Sequence, residues 1–108
     1  MSNNNFRRVV ITGAGVVSAL GDDWAQVKAT IESNKSAVCF MPEWQKYEGL
    51  GTYLAAPVHH FELPSHYTKK RKRSMGRVAQ LGVLATERAL IDANLLDVTM
   101  EELTVLPK

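Results

Sequence analysis

The side chains able to do chemistry fall in a few short stretches. In RRVVITGAGVVSALGDD, residues 7–23, an apolar run meets Gly13-Ala14-Gly15, the opening of a phosphate-binding turn in dinucleotide domains. The spacing fails at its third glycine, because Ser18 stands there. The next helix is expected to start at Asp22 or Asp23, too late to aim its N-terminus at a pyrophosphate. Glu32, the acidic residue at about the right distance, falls inside that helix. The pair is therefore expected to let the chain turn sharply where a buried strand leaves a sheet. His59, His60 and His66 raise zinc, but adjacent histidines do not readily share one tetrahedral site and no cysteine or carboxylate completes a ligand spacing. They read as loop or interface histidines, with no metal and no cofactor expected. Cys39 is the lone cysteine, without a neighbouring base, and is expected as a small buried or half-buried hydrophobe. Asp22 and Asp23 read as helix caps and not as paired catalytic carboxylates. No catalytic residue is expected in this stretch.

One cluster remains. Lys69, Lys70, Arg71, Lys72 and Arg73 hold five of the thirteen basic residues, and the other eight face eleven acidic ones. The chain outside the run is thus net acidic, and the positive charge is a local patch. Such a field speeds encounter with an acidic partner and weakens with salt. A solvated charge run or a nuclear-localisation or nucleic-acid patch has the same composition. No aromatic platform is interleaved with the cations, which speaks against nucleic acid.

Several elements must position these groups. Val9-Val10-Ile11, consecutive and β-branched, predicts a strand buried on both faces, which needs neighbouring strands. Asp23 and Gln26 resemble a capping box, and Trp24, Val27 and Ile31 form an apolar stripe on the helix that follows. Ser33-Asn34-Lys35-Ser36 stops it. Residues 37–67 are broken by Pro42, Gly49, Gly51, Pro57 and Pro64, with Thr52–Val58 a short strand at best. Trp44, Tyr47 and Tyr53 suggest an ordered cover. A long helix is expected from about Thr68 to Asn94, with Met75, Val78, Gly82, Ala85 and Ala89 along one side. Gly82 costs up to ~1 kcal/mol there relative to alanine, so close packing is its expected reason. Leu103–Leu106 is a possible further strand. The lone inner strand does not close a core with two helices, so an incomplete piece of a larger α/β domain is expected. No apolar stretch approaches the ~20 residues of a membrane span. The polar start carries no apolar signal core, and one cysteine permits no internal disulfide, so a cytoplasmic setting is expected.

RVVITGAGVVSALGDDW, with its T-G-x-G-x-x-S-x-x-G spacing, resembles the N-terminal motif of the β-ketoacyl-[acyl-carrier-protein] synthases, condensing enzymes of the thiolase-like fold. The likeness continues through ESNKSAV, APVHHF and KKRKRSMGRVAQLGVLATERALIDANL, over residues 7–96. MPEWQKYEGLGTYLAAPV is similar to the stand-alone ketosynthases of aryl-polyene-type pathways. The resemblance implies the N-terminal part of a layered α-β-α fold, with residues 1–6 a disordered tail and 7–108 part of the synthase domain. It implies decarboxylative condensation of an acyl thioester with malonyl-carrier protein, in fatty acid or polyketide-type biosynthesis. The family's nucleophilic cysteine and two catalytic histidines lie beyond the matched region, and Cys39, His59, His60 and His66 match none of them. Lys70 and Arg73 match basic positions that receive the acidic acyl carrier protein, with Lys69, Arg71 and Lys72 thickening the patch. A homodimer or heterodimer of the complete synthase is implied. A non-catalytic chain-length-factor-like subunit shares these features, and a small basic binding module is the remaining reading.

Overall fold

The structure is a computed structural model and describes residues 5–59, 61–98 and 103–105. Of the expected N-terminal tail, residues 1–4 lie outside the described residues, as do His60 and Leu106. The first element is α1 (Trp24–Glu32). Its cap is the one the sequence predicts, the Asp23 carboxylate accepting from the Gln26 N–H at 2.9 Å. The Gln26 side chain reaches back to the N–H of Asp22 at 3.0 Å, one residue before the cap. These bonds satisfy donors that a helix start otherwise leaves free. The helix ends at Ser33, and Asn34 takes a left-handed conformation at φ 54°. Only Val27 of the predicted stripe is buried; Trp24 and Ile31 are exposed.

Next comes a hairpin, β1 (Cys39–Phe40) antiparallel to β2 (Leu54–Ala55), joined through a 3-10 turn over Pro42–Lys46. Thr52–Val58 thus supplies two strand residues. Cys39 is exposed there, against expectation, because nothing among the described residues covers that face of the two-residue strand. The cover reading holds in part, with Trp44 and Tyr53 half-buried and Tyr47 exposed.

The expected long helix is two helices, α2 (Lys69–Lys72) and α3 (Arg77–Asp92). The break has two causes. Like charges at helical spacing repel, and Gly76 caps α3 in an extended conformation at ψ 168°. Asn94, at φ 56°, closes α3 as predicted. β3 (Leu96–Val98) then pairs antiparallel with β4 (Leu103–Val105), realising most of the Leu103–Leu106 strand.

The close approach expected at the helix glycine occurs elsewhere. A Cβ on Gly15 would lie 2.0 Å from the carbonyl oxygen of Ala85, and one on Gly13 would lie 2.5 Å from that of Ala89. The residues of the loop glycine pair rest directly on the alanine side of α3. Neither lies in a turn or bend, so they serve contact and not the sharp turn expected of them. A Cβ on Gly82, by contrast, would meet nothing within 4 Å among the described residues beyond its own helix backbone. Residues 14–22 are further tied to α3 by polar bonds. The Ala14 N–H donates to Asp92 Oδ2 at 3.0 Å, and Arg88 Nη1 donates to the carbonyls of Val16 and Asp22, each at 2.9 Å.

Leu63, Tyr67 and Leu84 form the buried cluster, with Val17, Phe61 and Val83 packed around it. Val9, Val10 and Ile11 lie outside it, 91, 72 and 92% exposed, and pair with no strand among the described residues. So apolar a run in water lacks its sheet. The radius of gyration, 18.9 Å, also exceeds the ~13 Å of a compact chain this long. The elements form part of a layered α/β architecture whose remaining cover lies outside these residues.

Two expectations follow. The 108-residue chain alone should show helical circular dichroism without a cooperative melt and should self-associate on sedimentation; a sharp monomeric transition would contradict the exposed strip. In the complete protein, Gly15→Ala should destabilise by about 1–3 kcal/mol through overpacking on α3, seen as a lowered melting temperature.

Candidate functional site

Thr68 starts α2 by capping it, its hydroxyl accepting from the Arg71 N–H at 3.3 Å. The four-residue helix buries no side chain. Lys69, Lys70, Arg71 and Arg73 are exposed and Lys72 is half-exposed. None of the five makes an ion pair among the described residues. Their charge is therefore uncompensated locally, and the structure gathers all five onto one turn and its C-cap.

Immediately before α2 the chain is pinned to α3 by a polar group that the sequence reading missed. Glu87 is 6% exposed. Its Oε2 accepts from His66 Nε2 at 2.9 Å and from the Tyr67 hydroxyl. A buried carboxylate needs such donors, since unpaired burial of a charge is costly. The two rings lie 4.5 Å apart between centroids, tilted by 41°. Burial, then the hydrogen bond and charge of Glu87, push the Tyr67 hydroxyl up to about 12. The phenol therefore stays a donor through neutral and moderately alkaline pH. A second clip lies at Arg77, whose Nη2 donates to the Val58 carbonyl at 2.9 Å while its guanidinium sits 5.4 Å from the Phe61 ring centroid. The available signal for the first clip was a lone glutamate three residues after Leu84, on the face that α3 buries.

The other candidates disperse. His66 is the partner of Glu87, and His59 is exposed on the preceding loop. No group of three metal-ligating side chains assembles among the described residues. Cys39 Sγ lies 3.9 Å from Met41 Sδ, in the hairpin. Beside the glycine pair is a surface hollow of about 710 Å³ that gathers Asp22, Asp23 and Asp92 against the single cation Arg88. Arg88 is already engaged with Asp22 and Val16. Such a wall repels phosphate, which disposes of the nucleotide reading. No helix among the described residues is long and apolar enough to cross a membrane.

Comparison with known proteins agrees with this geometry. Residues 6–105 match the family model described as the β-ketoacyl synthase N-terminal domain. The chain is 35% identical over 97 residues to 3-oxoacyl-[acyl-carrier-protein] synthase 2 of Staphylococcus aureus strain COL, covering 88% of this chain and 22% of that protein. It is 30% identical over 90 residues to 3-oxoacyl-[acyl-carrier-protein] synthase 1 of Haemophilus influenzae, covering 83% and 22%. The crystal structure of a β-ketoacyl synthase from Burkholderia phymatum STM815 superposes with a TM-score of 0.76 at 46% identity, over 82% of this chain and 22% of that one. The chain thus spans about a fifth of the length of the curated relatives it matches.

The Tyr67 shift sets a sign for pH. A phenol raised from 10.0 to about 12 contributes stability that is complete below pH 10 and is lost as the pH climbs through about 12. Tyrosinate absorbance should show a step near pH 12 that Tyr67→Phe removes; an identical titration curve for the variant would refute the assignment.

Proposed function

The chain belongs to the β-ketoacyl synthase family, and from that premise we propose that it is the N-terminal portion of a 3-oxoacyl-[acyl-carrier-protein] synthase. The fold is that of the family's thiolase-like N-terminal part, and the observation that carries the reading is the 0.76 superposition over 82% of the chain at 46% identity. The complete enzyme joins an acyl thioester to malonyl-carrier protein with loss of carbon dioxide, in fatty acid or polyketide-type biosynthesis, as a dimer in the cytoplasm. A cysteine thiolate takes the acyl group, and the carbanion left by decarboxylation attacks its carbonyl. Donors aimed at the developing oxyanion lower that barrier. Among the described residues, Cys39 Sγ lies against Met41 Sδ and His66 is committed to Glu87, so the reading assigns the nucleophile and its histidines to other parts of the enzyme.

What these residues contribute is a docking surface. Lys69, Lys70, Arg71, Lys72 and Arg73 form a cationic projection without internal neutralisation, suited to an acidic carrier protein. Its exposed position at the junction of the cover segment and α3 leaves it open to a macromolecular partner. Rim charges of this kind act mostly on the rate of encounter.

The test uses the complete synthase. Lys70→Glu with Arg73→Glu should weaken carrier-protein binding several-fold at low salt, with a smaller difference at high salt, measured by titration calorimetry. An unchanged affinity at low salt would remove the docking role.

A further inference from the structure

The basic helix buries nothing of its own, so its direction is set by what holds its two ends. At its C-terminal end the link is short: the Met75 N–H donates to the Lys72 carbonyl at 3.0 Å, and the Gln80 side chain donates to the Met75 carbonyl at 3.0 Å. At its N-terminal end the residue before the Thr68 cap is Tyr67, which is buried against Leu63 and Leu84 and bonded to Glu87. His66 bonds to the same carboxylate oxygen. The Tyr67 N–H also closes a turn on the Pro64 carbonyl at 3.0 Å. The two side chains that immediately precede the helix cap thus converge on one buried atom of α3.

We propose that Glu87 is a positioning residue for the cationic surface: through His66 and Tyr67 its carboxylate fixes the start of α2 on α3 and so sets the direction in which Lys69–Arg73 project toward an acidic partner. This rests on the docking reading above and deepens it. The physical reason is the fixed geometry of a buried acceptor. A carboxylate that is 6% exposed and accepts from both side chains holds them at one point of α3. The helix gains a rigid base. Without the carboxylate, two adjacent polar side chains are left buried and unpaired, and relief requires the His66–Tyr67 segment to move outward. Movement there carries the Thr68 cap, and with it the first turn of α2.

The experiment compares variants of the complete synthase. Glu87→Leu removes both acceptor bonds while keeping bulk. It should lower carrier-protein affinity at least threefold at temperatures well below melting, and raise the rate of native-state tryptic cleavage within Lys69–Arg73 by about tenfold. The slope of affinity against salt should stay as in the parent protein, since no surface cation is lost. Glu87→Gln, which retains an acceptor of the same shape, should recover most of both effects. Should Glu87→Leu fail to fold, Tyr67→Phe keeps the ring packing and should show the same direction at smaller size. Carrier affinity unchanged in Glu87→Leu, with Lys70→Glu/Arg73→Glu still weakening it, would overturn the positioning role and leave docking standing. Unchanged affinity in both would overturn docking and the positioning role together.

Discussion

The arrangement depends on one contact, the backbone of Gly13 and Gly15 lying directly against the backbone of α3. Side-chain-free residues at both positions let the loop approach Ala85, Ala89 and Ala93 to a distance that a single methyl group would prevent. Once the strands of chain are that close, the polar links can form. The Ala14 N–H finds Asp92, and Arg88 reaches the carbonyls of Val16 and Asp22 on the way to α1. Arg88 is the hub because only a guanidinium presents several donors in a fixed fork. The start of α1 is therefore oriented from α3, which also carries the clip holding the basic helix. One helix organises both the glycine loop and the basic helix.

This organisation explains why charge is distributed as it is. The carboxylates that touch α3 or stand on it are engaged: Asp92 by Ala14, Asp22 by Arg88, Glu87 by His66 and Tyr67. The cations of α2 make no ion pair among the described residues. A net charge of +2 conceals this separation, since the relevant quantity is which charges are satisfied and which face outward. The same logic accounts for the open apolar side. Val9–Ile11 has the composition of an inner strand and the exposure of an edge, and the two agree only if its sheet is completed by residues other than those described.

What was legible in the sequence was local. The Asp23 cap, the asparagine that ends each long helix and the need of Val9–Ile11 for a sheet all follow from residues within one or two turns of each other. The ordered motifs from residue 7 to 96 carried the family, and the matched span of 6–105 agrees. Contacts across the chain were not legible. A helix from Thr68 to Asn94 satisfies periodicity, yet five adjacent cations and Gly76 divide it. Small residues on α3 announce a close neighbour without saying which, so the contact falls at Ala85 and Ala89 while Gly82 faces open space. Glu87 stands three residues after Leu84 on the buried face, but its burial depends on donors 20 and 21 residues earlier, which no local period announces.

The bonds joining the glycine loop to α3 link residues separated by 78, 72 and 66 positions. Joining ends so far apart carries an entropic cost that rises with the logarithm of the intervening length, and it falls due before any of those bonds can form. On a ribosome, the glycine loop emerges early and waits for Asp92 and Arg88. During that interval, the β-branched strip beside it meets water and any other nascent chain nearby. Docking of the glycine loop is thereby timed by the synthesis of α3, whereas the β-branched strip stays open to such encounters even once α3 is in place.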